Sequence, residues 1–240
     1  MIGPSRIALG PVLLLQGRRV RLQALRLPEA AGPRAGVEGT PDGGERLRLL
    51  VVGDSTAAGV GVATQAEAIA QPSAAALAAR TGRPVAWQLV GRSGVDTAGA
   101  LAMVRDTDLA PADIAVFALG VNDVTGQRLG ARFVDDYAAL VDHVQGRTGA
   151  RHVLVNGVPP MHVLPALPQP LRWYLGRCAA HNDTLLAAWA RGRPDIEVLP
   201  LQWAADVGAL AADGFHPGAA QYAHWATCVA ERAAARLAAA

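Results

Sequence analysis

Leu47-Arg-Leu-Leu-Val-Val-Gly-Asp-Ser55 decides how this 240-residue chain folds. Its apolar run, LRLLVV, is short and rich in Leu and Val, so it reads as a buried strand, and the Gly-Asp-Ser that follows turns it into a tight loop. Further apolar runs lie at residues 85–90, 114–119, 152–158 and 196–199. Between and after them come Ala-rich stretches of helical character at 67–80, 98–105, 131–147, 171–190 and 217–237. Alternation of strand and helix predicts a mainly parallel sheet with helices on both faces. Ligands bind such open sheets at the carboxyl ends of the strands, which is where Ser55 would project its hydroxyl. The length suits one α/β core and not two. Residues 28–45 are rich in Gly, Pro and charge and read as a linker or long surface loop. That divides the chain into an N-terminal extension and linker at 1–45 and a folded domain at 46–240.

Three more stretches carry polar residues of the types that acyl-transfer chemistry needs. In Asp213-Gly-Phe-His216, just before the last helix, a spacing of three lets the carboxylate reach one imidazole nitrogen while the other faces a serine. Pro217 suits the first position of that helix. Asn122, in Gly120-Val-Asn-Asp123, follows the third strand and brings an amide donor that does not titrate. Gly94, in Gly91-Arg-Ser-Gly94 after the second strand, offers a backbone N–H with no side chain in the way, and Gly91 is its rival. Asp54 and Asp123 are assigned positioning roles. Each stretch alone also fits a plain turn or helix cap. Together they supply a nucleophile, a base with its orienting acid, and donors for an oxyanion.

In these motifs and their order, over residues 47–240, the chain resembles the SGNH (GDSL-type) hydrolases, a family named for its Ser, Gly, Asn and His. The resemblance implies a three-layer α/β/α, flavodoxin-like fold whose five parallel strands run in the order 2-1-3-4-5. It also implies catalytic roles for Ser55, Asp213 and His216, and an oxyanion site shared by the Ser55 N–H, Gly94 and Asn122. Esterases, lysophospholipases, thioesterases and carbohydrate acetylesterases belong to the family, and an acyltransferase would use the same groups. The expected substrate is a small acyl ester, lipid-like or short, and no cofactor is implied. A non-enzymatic acyl-binding module on the same scaffold would have no use for Ser55, Asp213 and His216 together.

Other classes find little support. The formal net charge is only +2, all 22 basic residues are Arg, and no basic stripe is interleaved with aromatics, which argues against a nucleic-acid partner. There is no G-x-S-x-G elbow, H-E-x-x-H metal motif, P-loop or dinucleotide fingerprint. Cys178 and Cys228 lack metal or redox spacing and fit a reducing, cytoplasmic setting. Residues 7–15 are apolar but too short to span a bilayer and are interrupted by Gly10 and Pro11. Three readings of this start remain: a segment packed on the domain, a targeting segment, or a peripheral contact with anionic lipid through Arg18, Arg19 and Arg21 beside Leu22, Leu25 and Leu27. The Pro-rich stretch 158–170 follows the fourth strand, and its His162 is a candidate to line a substrate pocket.

Overall fold

The computed structural model describes residues 3–41 and 44–239, with side chains from residue 9 onward; residues 1–2, 42–43 and 240 of the two units expected from sequence lie outside it. Six strands form one sheet: β1 (Ala35–Glu38), β2 (Leu47–Gly53), β3 (Val85–Gly91), β4 (Ile114–Ala118), β5 (His152–Asn156) and β6 (Ile196–Leu199). The order across the sheet is β1-β3-β2-β4-β5-β6, with β1 antiparallel to β3 and every other pair parallel. The five expected strands follow the expected relative order, but the sheet has six strands. The extra one lies inside the presumed linker. It is four residues long, mostly exposed and at the edge, so it lacks the apolar alternation that marks a strand in sequence.

Period-two alternation explains why the central strands bury both faces. Leu50 and Val52 of β2, Phe117 of β4 and Val155 of β5 point into one core, while Leu49, Val51, Val116 and Leu154 point into the other. The first core is closed by α3 (Thr97–Arg105), α5 (Ala131–Thr148) and α6 (Leu171–Ala190), with Leu13 of α1 (Gly3–Gln23) at its margin. The second is closed by α2 (Ala70–Thr81) and α7 (Ala219–Ala238), which pack against each other. A short helix, α4 (Val121–Thr125), begins directly after the loop that leaves β4.

Helix α1 runs continuously through Gly10 and Pro11, which interrupt only the apolar run in sequence. One further expectation is corrected. Helix α7 starts at Ala219, two residues beyond Pro217, because Pro217 pairs with Leu210 in an antiparallel bridge and the Gly218 N–H donates to the Ala209 carbonyl. No disulfide joins the two cysteines; Cys178 is buried and Cys228 partly so. Among the described residues no helix is long and apolar enough to cross a membrane.

Candidate active site

Ser55 follows β2 by two residues, in a loop held from several sides. Gly53 ends the strand where an added Cβ would meet the Ala118 carbonyl and the Ala57 methyl, so only glycine lets β4 approach this closely. The Tyr222 hydroxyl, on α7, donates to the carbonyls of Thr56 (3.0 Å) and Val60 (2.8 Å) and fastens the loop to the final helix. Gly61, at φ +109°, packs its Cα against the Pro217 carbonyl, one residue past His216. The chain thus brings residues 161 positions apart into contact through backbone fitting as well as side chains.

The Ser55 Oγ lies 2.9 Å from His216 Nε2, and His216 Nδ1 lies 2.5 Å from Asp213 Oδ2. The other Asp213 oxygen accepts from the backbone N–H groups of Phe215 and His216, both at 3.0 Å. Burial works against the charge on Asp213, but the His216 ring and these two N–H groups outweigh it and hold its pKa below the ordinary value. The carboxylate therefore stays ionised at neutral pH, where it can fix the imidazole tautomer and stabilise an imidazolium. His216 stands on a loop fixed by the Leu210–Pro217 bridge and by the Ala211 N–H on its carbonyl, not at a helix start.

The Asn122 Nδ2 donates to the Val95 carbonyl at 2.9 Å and to Asp54 Oδ2 at 3.3 Å. Asp54 is buried, and its second oxygen accepts from the Thr56 N–H and hydroxyl, both at 2.9 Å. Burial raises its pKa, against the pull of the Thr56 bonds and of His216. Asp54 therefore couples the serine loop to Asn122, and Asn122 in turn grips the loop that carries Gly94. The two glycines differ clearly. Gly91 ends β3 in register with Gly53 and gives its carbonyl to Arg34, whereas Gly94 sits in the open loop at φ +82° with nothing within 4 Å of where a Cβ would stand. Asp123 is buried on α4 and receives the Thr97 N–H (3.2 Å to each oxygen) and hydroxyl (2.9 Å), which locks the start of α3 to α4. Burial, assisted by nearby Asp96 and opposed by the Thr97 bonds, pushes its pKa up to about 6.

A cleft of about 650 Å³, counting its open mouth, leads away from Ser55 and His216. Its walls include Leu164, Leu201, Trp203, Leu210, Phe215 and Trp225. Trp203 and Trp225 lie with ring centroids 5.7 Å apart, and the Trp225 indole N–H donates to buried Asn156 at 2.7 Å. Phe215 belongs to the Asp213–His216 stretch and Leu164 to the Pro-rich stretch, but Leu201, Trp203, Leu210 and Trp225 carry no sequence signal; they come from around a 3₁₀ turn, a bridge and the inner face of α7. The Pro-rich stretch does reach the cleft, through Pro159 and Leu164. His162 does not line it; its Cβ packs against Gly176 of α6 while its side chain is exposed. Among the described residues there is no cluster of His, Cys, Asp and Glu able to hold a metal ion.

Residues 51–224 match the GDSL-like Lipase/Acylhydrolase family. A GDSL-like esterase of Mycobacterium tuberculosis is 30% identical over 185 residues, covering 74% of this chain and 58% of the relative. This chain therefore spans little more than half of that relative's length. Among solved structures, a lipolytic G-D-S-L family protein of Veillonella parvula superposes with a TM-score of 0.60 at 16% identity, over 79% of this chain and 99% of the other. Est24, a carbohydrate acetylesterase of Sinorhizobium meliloti, gives 0.55 at 20% identity, over 79% and 99%. These two structural likenesses speak for the fold. The family match covers most of the sheet and every motif described above, and the chain belongs to the GDSL-like lipase/acylhydrolase (SGNH) family.

Proposed function

We propose that this protein hydrolyses carboxylic esters through an acyl-serine intermediate, with Ser55 as nucleophile, His216 as base and Asp213 as its orienting acid. The observation that carries the proposal is the unbroken relay from Ser55 Oγ through the His216 ring to Asp213, at 2.9 and 2.5 Å. His216 takes the hydroxyl proton as Ser55 attacks the ester carbonyl, then returns it to the departing alcohol. It next takes a proton from the water that releases the acid. The Ser55 and Gly94 N–H groups and the Asn122 amide hold the tetrahedral oxyanion. In the resting site the bond from Asn122 to Asp54 is long, 3.3 Å, and an oxyanion competes for that hydrogen.

The lining of the cleft supports one substrate class over another. Its tryptophan, phenylalanine and leucine walls begin beside the nucleophile and suit an acyl chain better than a sugar. Rates on p-nitrophenyl esters of increasing acyl length test this directly. The expected profile rises from acetate to a chain of intermediate length. A sharp maximum at acetate, with acetylated sugars as good substrates, would assign the protein to carbohydrate deacetylation.

A further inference from the structure

Helix α1 has two apolar faces, and among the described residues only one of them has a partner. Leu9, Leu13, Gln16 and Val20, spaced four, three and four apart, form the inward stripe: the three apolar side chains pack on the first core, and Gln16 bonds to the Gln169 carbonyl (2.7 Å) and the Leu171 N–H (3.1 Å). Pro11, Leu15, Arg18 and Leu22 carry the same spacing on the opposite side, with Leu14 next to them. That outer stripe is bare: Leu14, Leu15 and Leu22 are 77%, 70% and 76% exposed, and Leu25 just beyond the helix is 57% exposed. Four such leucines on one short segment are far from the scattered apolar residues of an ordinary surface.

Charge says what covers them. Residues 1–28 contain five Arg and no Asp or Glu. Arg18, Arg19, Arg21 and Arg26 are all exposed, Arg18 within the leucine stripe and the others near it. A second copy of this segment would meet its own positive charge. A bilayer offers both parts of the match, an apolar interior for the leucines and anionic headgroups for guanidinium groups on long, reaching stems. Trp173, 40% exposed with Arg177 over its ring at 5.5 Å, lies two residues past the Leu171 N–H that Gln16 accepts, and adds an aromatic of the kind that favours the headgroup level. The stretch that Gln16 grips continues into Leu164, a wall of the cleft.

We infer that the outer face of α1 docks the protein on the surface of an anionic bilayer, lying in the interface without crossing it. Docking does not depend on what Ser55 does, so its test uses binding. The full chain is sedimented with phosphatidylcholine vesicles, with and without about one third phosphatidylglycerol, at low and high salt. Two variants accompany it, Leu14→Gln with Leu22→Gln, and Arg18→Gln with Arg19→Gln and Arg21→Gln. All five positions are exposed, so both variants should fold and keep their rate on a water-soluble acetate ester. Each Arg near an anionic surface is worth about fivefold in binding, so the Arg variant should lose more than about tenfold at low salt. The Leu variant should lose binding at both salt concentrations, and wild-type binding should fall as salt screens the headgroups. The inference is overturned by equal binding of wild type and variants, by no preference for anionic vesicles, or by a dimer in solution that the Leu variant alone dissolves.

Discussion

At the scale of single residues, the proposal assigns different kinds of loss to different side chains. Ser55→Ala removes the nucleophile, and turnover should fall by at least about a thousandfold with the fold intact. Asn122→Ala removes one oxyanion donor, for an expected drop of ~10²–10³ in kcat with little change in KM, read from steady-state rates on a soluble ester. An Asn122→Ala enzyme with wild-type kcat would remove Asn122 from the oxyanion site. The chemically distinctive residues were legible in sequence because serine, histidine and asparagine at strand ends have few structural reasons to recur in one order. The choice between Gly94 and Gly91 was not, since both precede bends. Only the end of β3 shows that Gly91 belongs to the ladder and Gly94 to the loop that Asn122 grips. Trp203 and Trp225 were also invisible, because a cleft wall is defined by what faces it and leaves no local pattern.

At the scale of elements, the contacts between loops and helices set the geometry of the site, and each can be loosened separately. Tyr222→Phe keeps the ring and removes both bonds to the serine loop; it should cost about 1–3 kcal/mol in denaturant unfolding. Asp123, which joins α3 to α4, gives a pH signature. Its pKa is about 6 in the folded protein against an ordinary 3.8, so between these values the folded form holds a proton that the unfolded chain has released. The sign follows: this group weakens the fold as pH rises from about 4 to 6, by about 3 kcal/mol once fully ionised. Asp123→Asn does not titrate. Its stability relative to wild type should therefore improve by about that amount between pH 3 and pH 7, and a flat difference would contradict the buried-carboxylate account. Helices with long Ala-rich patterns were readable to within a few residues. The start of α7 was displaced because Pro217 is used by a bridge, a tertiary demand that overrides its local preference for a first helical turn. Strand β1 was missed because an exposed four-residue edge has almost no core to encode it.

At the scale of the whole molecule, the account rests on one convergence: loops from the ends of β2 and β4, the loop after β3, and the turn before α7 meet at one rim of the sheet. Alternation of strands and helices in sequence implied that rim, and the parallel ladder places the ends of β2, β3 and β4 side by side in register. What sequence could not supply was the fastening of the last turn, which depends on Gly61 against Pro217 and on Tyr222 beneath the serine loop. The most direct test is to treat the protein with a fluorophosphonate, digest it and locate the adduct by mass spectrometry, alongside Ser55→Ala and Asp213→Asn. The account predicts a single adduct on Ser55 that appears in step with loss of esterase activity, forms much more slowly in Asp213→Asn, and is absent from Ser55→Ala. An adduct on another residue, or ester hydrolysis that persists in Ser55→Ala, would contradict it.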